Sequence, residues 1–334
     1  MAKHKRDNEH KLEEIERTET TSTIIGGDSM IEPVVYLNDH FVPASQAHLN
    51  IYDLGIVLGA TLTEMTRTFG HEPFRLEEHI RRILRSCKYA GIELDLDYGE
   101  LVECTQSLID KNRKLIGPEQ DLGVVHFVTP GENPAYAGSA GKPVRLKPTL
   151  CIHSFPLPFA LWRTYFEQGA HVVTPAIRHV PPQCVDPKSK NRSRLHYWLA
   201  DKQSQAVDPA ATSLLLDLEG NLTECSGANF VVVEDDTIFT PTSRNILEGV
   251  SLVTLRELAP KLGLGWVEKE LQPYDAVNAD EAWLTSTPYC LAPCTRFNNT
   301  SIGDGKPGPL FGRVMEAWSQ KVGLDILEQL RNAD

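Results

Sequence analysis

The chain has no apolar run near the roughly 20 residues that cross a bilayer, and its N-terminus lacks the apolar centre of a secretory signal. A cytoplasmic protein with no membrane partner is expected. Basic residues are few relative to acidic ones: 33 Lys and Arg against 45 Asp and Glu give a net charge of −12. Such a balance disfavours nucleic acid and anionic membranes as partners and leaves small-molecule chemistry. Neither common glycine-rich phosphate loop occurs, and there is no internal repeat. The seven cysteines (87, 104, 151, 184, 225, 290 and 294) are odd in number and scattered, which suits reduced thiols rather than a disulfide framework. Cys290 and Cys294 are close, but no second Cys/His pair accompanies them, so no metal site is expected.

What is present divides into four parts. Residues 1–29 are charged and polar, end in Gly26-Gly27-Asp28-Ser29, and read as a disordered extension or tag ahead of a native start at Met30. Residues 30–154 read as a small α+β domain. A hairpin of Val34 to Leu37 and Phe41 to Pro43 comes first, then a β-branched strand up to Phe69, with Thr63, Met65 and Arg67 on one face. Leu76 to Tyr89 has the spacing of an amphipathic helix stopped by Gly91, with His79, Arg82 and Lys88 expected off its buried stripe. A second helix over about Asp97 to Leu115 and strands at Val124 to Thr129 and Pro148 to His153 complete this part. Residues 155–162, with two prolines, read as an interdomain linker. Residues 163–334 read as a larger domain: strands near His171, at Ser213 to Asp217, Phe230 to Val233, Thr237 to Pro241 and Ala282 to Thr285. Its helices are expected from Ser193, over Val250 to Leu262, and over Leu310 to Leu330.

Lys188-Ser-Lys-Asn-Arg-Ser-Arg194 is strongly basic within this acidic chain and precedes a helix, so Lys188 and Lys190 are open to two readings: exposed anion contacts or a reactive amine. Gly249-Val-Ser251 opens a helix whose free N–H groups favour an anion, although such a segment also serves as a simple cap.

Several separated features together resemble the class IV, or fold-type IV, pyridoxal-phosphate aminotransferases, a family that includes branched-chain and D-amino-acid aminotransferases and aminodeoxychorismate lyase. The most specific is Asn221-Leu-Thr-Glu-Cys-Ser-Gly-Ala-Asn-Phe230, followed by Glu78-His-Ile-Arg-Arg82, Ile246-Leu-Glu-Gly-Val-Ser251 and Thr285-Ser-Thr287, in the family's order. The resemblance implies a two-domain α/β and α+β fold, with a small α+β domain and a larger cofactor domain containing a barrel-like sheet. It implies pyridoxal 5'-phosphate as cofactor, a homodimer, and an amino donor and a 2-oxo acid acceptor as substrates. It implies Glu224 at the ring nitrogen, and a phosphate cup of Arg82, Val250, Ser251 and Thr287. Setting Leu199-Ala200 against the family's Leu-Ala makes Lys190 the Schiff-base lysine, with Lys188 as runner-up.

The sequence departs from the subfamilies where substrates are chosen. Thr63 precedes Glu64 where better-known members have an aromatic residue. The loop Gly131-Glu-Asn-Pro-Ala-Tyr-Ala137 lacks the arginine and histidine of D-amino-acid aminotransferases, and Gly123 to Val125 lacks the tyrosine and arginine of branched-chain enzymes. Arg67, Arg192, Arg194 and Arg296 are the remaining candidates for a substrate carboxylate, with Thr63 on the same strand as Arg67. Two other functions stay open: aminodeoxychorismate lyase, forming 4-aminobenzoate and pyruvate, and a non-catalytic binding protein of the same fold.

Overall fold

A computed structural model describes residues 32–136, 138 and 145–332. The extension at 1–29 and Ala137 of the loop considered above lie outside these residues. The described part of Pro33–Asp334 is one compact unit built on two sheets.

The first sheet carries β1 (Val34–Leu37), β2 (His40–Pro43), β3 (Leu62–Phe69), β4 (Glu72–Pro73), β5 (Leu122–Thr129) and β6 (Thr149–Pro156). Their order is β2-β1-β6-β5-β3-β4, and each pairing is antiparallel. Alternation sets its covered face, because successive strand side chains point to opposite sides. Val124 and Val128 of β5 and Leu150 and Ile152 of β6 share a core with Ile80, Ile83, Leu101 and Leu108. The last four belong to helices Leu76–Ala90 and Tyr98–Asn112, the second opened by a reciprocal cap between Asp97 and Glu100.

The second sheet carries β7 (Ala170–Val173), β8 (Thr212–Leu216), β9 (Leu222–Cys225), β10 (Asn229–Glu234), β11 (Thr237–Thr240), β12 (Gly265–Glu268), β13 (Glu281–Ser286), β14 (Cys290–Phe297) and β15 (Thr300–Ser301). The run β10-β13-β14-β7-β8-β9 returns on itself where Glu224 of β9 pairs with Asn229 of β10, so these strands close into a barrel. Neighbours on β10 serve two different cores. Phe230 and Val232 pack with Leu214, Leu284 and Ala292, whereas Val231 and Val233 pack with Trp283, Trp318 and the helices Val250–Leu258 and Pro309–Val322.

Three expectations change. The last helix is broken, because Gly323 takes φ 70° and ends Pro309–Val322, after which Ile326–Asn332 begins separately. His79 and Arg82 are buried, not off the stripe, because both reach a carboxylate on β3. β6 also runs on through Pro156, and Phe159 beyond it is buried in the core. No helix among the described residues is long and apolar enough to cross a membrane.

Asp121 ties the first sheet to the C-terminal helix. Its carboxylate accepts from Thr68 Oγ1 at 2.6 Å, His71 N at 3.0 Å and Gln329 Nε2 at 2.6 Å, and lies 3.6 Å from the buried guanidinium of Arg67. Removing one member of such a buried pair strands the other charge. Asp121→Ala should therefore lower stability by about 3–5 kcal/mol in urea unfolding. Asp121→Asn, which keeps hydrogen-bonding capacity, should cost less.

Candidate active site

A cavity of about 330 Å³ opens where β3, the helix Leu76–Ala90, the segment before Leu195, the β9–β10 turn and the helix Val250–Leu258 converge. Lys190 lines it from a strand-like segment. Thr63 N donates to Lys190 O at 2.8 Å, Arg192 N donates to Thr61 O at 2.6 Å, and Lys190 N donates to Ser86 Oγ at 3.3 Å. The backbone on either side of the lysine is thereby fixed to β3 and to the neighbouring helix. The Lys190 ammonium has no hydrogen-bond or ion-pair partner among the described residues, and burial, helped by the positive charges of Arg82 and Arg194, brings its pKa down to about 8. Lys188 is exposed and does not line the cavity; its N–H is turned to Asp186 Oδ1 after an Asp-Pro turn.

Arg82 reaches the cavity from the helix Leu76–Ala90 and is held by a fork. Its Nε and Nη2 donate to the two oxygens of Glu64, both at 2.6 Å, and its Nη1 donates to Glu248 O at 2.7 Å. Glu64 also accepts from His79 Nδ1 at 3.0 Å and from Met65 N at 2.8 Å. Burial alone would raise the Glu64 carboxyl, but Arg82 and His79 outweigh it and hold it well below the ordinary value of 4.5. Two of the five guanidinium N–H groups of Arg82 are left for another acceptor.

The helix Val250–Leu258 begins at Gly249 with no capping side chain, so the N–H groups of its first turn point out unpaired toward the cavity wall. A Cβ at Gly249 would stand 2.3 Å from Asn229 Oδ1, which accounts for glycine at this close approach. Ser251 and Thr287 line the cavity, and Thr285 Oγ1 is buried there without a hydrogen-bond partner. An uncapped helix start, spare guanidinium donors and an orphaned hydroxyl form a socket for a phosphate.

Glu224 lies across the cavity at the barrel closure. Tyr197 OH donates to its Oε1 at 2.7 Å, and Leu247 N donates to its Oε2 at 2.9 Å. His179 Nε2 is 3.1 Å from the tyrosine oxygen and 3.4 Å from Glu224 Oε1, and Asn229 Nδ2 is 3.4 Å from Oε2. Burial pushes this carboxyl up, yet the hydrogen bonds and the histidine outweigh it, so Glu224 is held ionised. Tyr197, buried beside it, is pushed well above its usual pKa.

The structure thus brings Lys190, Arg82, Glu224, Val250, Ser251, Thr287 and Arg194 to one cavity. Arg67 is enclosed elsewhere, donating to Thr68 O, Pro288 O and Gln329 Oε1. Arg296 is on the surface, paired with Asp208 at 3.2 Å. Thr63 is buried with its hydroxyl donating to His126 O, and Arg192 lies over the Phe127 ring, 5.6 Å from its centroid; neither lines the cavity. Sequence reasoning missed Glu64 as the anchor of Arg82, and His179 and Tyr197 as partners of Glu224. Only Asn229 had a local signal, since a tight β9–β10 connection sets it opposite Glu224.

An amine of lowered pKa, a carboxylate held ionised and a phosphate socket around one cavity are what pyridoxal phosphate requires. The family model described as class IV amino-transferase matches residues 61–297, and the chain belongs to that family of pyridoxal-phosphate-dependent fold-type IV enzymes. It is 29% identical over 290 residues to a D-alanine aminotransferase from Bacillus licheniformis, covering 86% of this chain and 96% of the relative. It is 27% identical over 303 residues to a putative branched-chain-amino-acid aminotransferase from Methanocaldococcus jannaschii, covering 88% and 99%. A branched-chain amino acid aminotransferase from Thermobaculum terrenum, solved in its PLP-bound holo form, shares the fold with a TM-score of 0.75 at 21% identity, over 90% of this chain and 97% of that one.

The Glu64 carboxyl, titrating in the folded protein below its ordinary value, adds stability above pH 4.5 that is lost as pH falls through the depressed folded value. Wild type should therefore exceed Glu64→Gln in unfolding free energy by about 1.5–3 kcal/mol near pH 7. That difference should shrink on acidification below about 4.5, as urea titrations across pH would show.

Proposed function

We propose that the enzyme moves an amino group between an amino acid or amine and a 2-oxo acid, with Lys190 as the lysine that binds the cofactor. The observation that carries this reading is the Lys190 amine, brought to about 8 and facing a cavity shared with Arg82 and Glu224. An amine with that pKa is unprotonated in part at neutral pH, unlike an ordinary lysine near 10.4. Pyridoxal phosphate, when bound, supplies an aldehyde for amines and an electron-withdrawing ring that weakens the Cα–H bond.

The remaining work falls to side chains. Arg82, the N–H groups of Val250 and Ser251, and the hydroxyls of Ser251 and Thr287 would hold the phosphate. Glu224, kept ionised by Tyr197, His179 and Leu247 N, would keep the ring nitrogen protonated. Lys190 Nζ is the base that takes the proton from the substrate Cα. The relatives named for D-alanine and for branched-chain amino acids make both classes the first donors to test.

A homodimer belongs to the same reading. Ile51, Ile56, Leu58, Leu195 and Trp198 are exposed large apolar side chains, and Ser193 Oγ, donating to Gly59 O, joins the two segments that carry them. Ala60, Thr61 and Ser193, between these exposed groups, line the cavity, so a second copy seated here would also cover its mouth.

Half-reaction spectra test the function: amino donors should convert the bound cofactor and release 2-oxo acids. Formation of pyruvate and 4-aminobenzoate from aminodeoxychorismate, without any half-reaction, would mark a lyase instead. Glu224→Gln should lower turnover by about 100-fold or more with little change in folding, and Lys190→Ala by about 10²–10⁴-fold. Unchanged turnover in either variant would contradict the assignment. Leu58→Glu combined with Trp198→Glu should sediment as a monomer while wild type sediments as a dimer.

A further inference from the structure

The cations that line the cavity are Arg82, Lys190 and Arg194, beside the imidazoles of His179 and His196. Glu64 answers Arg82, and Glu224 answers His179. Arg194 differs. Its guanidinium lies over the ring of Tyr197, 4.7 Å from the centroid, and makes no hydrogen bond or ion pair with any described residue. A ring face attracts a cation but leaves all five N–H donors unused.

The position is also a fixed one. Arg194 immediately precedes the helix Leu195–Val207, and its carbonyl accepts from Trp198 N at 3.0 Å. On its N-terminal side, Ser193 is pinned to Gly59 O; beneath it, Tyr197 is buried and bonded to Glu224. A guanidinium resting over a buried, hydrogen-bonded ring loses less freedom than a free one when it takes up a planar anion. The phosphate socket already has its own donors in Arg82 and the helix start, so the anion left for Arg194 is a different one.

We propose that Arg194 receives the carboxylate of the amino acid or 2-oxo acid, the forked guanidinium meeting both carboxylate oxygens. This rests on the transaminase reading for the identity of the ligand, and it assigns carboxylate recognition to the segment that follows the cofactor lysine. The three other arginines considered from the sequence are turned away from the cavity: Arg67 within the core, Arg192 over Phe127, and Arg296 toward Asp208. The enzyme is accordingly one for carboxylate-bearing substrates in preference to simple amines.

The test is calorimetric titration of the holoenzyme with an unreactive aliphatic monocarboxylate, 4-methylpentanoate, and with its amide. Wild type should bind the acid about 10- to 100-fold more tightly than the amide, Arg194→Gln should lose that preference, and Arg194→Lys should recover part of it. The cofactor dissociation constant should stay within about twofold in Arg194→Gln, since the phosphate is held elsewhere. A preference for the acid that survives in Arg194→Gln, no preference in wild type, or a tenfold or greater loss of cofactor affinity in Arg194→Gln would each overturn the proposal. Failure of the transaminase reading shows separately, as the absence of any half-reaction with amino donors, and leaves this titration interpretable.

Discussion

The fork between Glu64 and Arg82 is the interaction on which the site depends. Two charges removed from water cost more than they return unless the geometry is close and further hydrogen bonds satisfy the groups around them. Here both carboxylate oxygens take a guanidinium N–H at 2.6 Å, one also accepts from His79 and Met65 N, and Arg82 places a third N–H on Glu248 O. The network crosses from β3 through the helix Leu76–Ala90 to the residues just ahead of Gly249. It therefore holds the arginine, the uncapped helix start and the first sheet in one arrangement.

A second network of similar construction stands at the barrel closure. The single pair of Glu224 with Asn229 completes the ring of strands, and the same two residues hold Leu247 through its N–H and its carbonyl. Closure of the barrel and orientation of the carboxylate are thus one structural fact. Lys190 feels the charge of both carboxylates, and the backbone around it is tied to Thr63 of β3 and to Thr61 just before it by bonds from Thr63 N and Arg192 N. Burial and two nearby guanidinium groups lower its pKa to about 8, while Glu64 and Glu224 oppose the shift.

Much of this was legible in the sequence because it is encoded locally. The 3.6-residue spacing of Leu76, Ile80, Ile83 and Cys87 marks a helix face, and Gly91 marks its end. The Thr-Glu-Cys-Ser-Gly-Ala-Asn segment carries both closure residues within one tight turn. Partners set by tertiary folding were not legible: Glu64 is 18 residues from Arg82, and His179 is 45 from Glu224, with no periodicity to connect them. Helix periodicity even pointed the wrong way for His79 and Arg82, because polar residues on a buried face are read as exposed unless their counter-charge is known. For the same reason four arginines were equivalent in sequence, and only the fold separates Arg194 from Arg67, whose charge is spent on Asp121, Gln329 and backbone carbonyls.

In the proposed reaction one half-buried lysine of lowered pKa, Lys190, joins the cofactor to this framework. Borohydride reduction of the holoenzyme followed by peptide mapping identifies that lysine. A pyridoxyl group is expected on Lys190 alone; a label on Lys188, or retained cofactor with no lysine labelled, would rule Lys190 out as the cofactor's attachment.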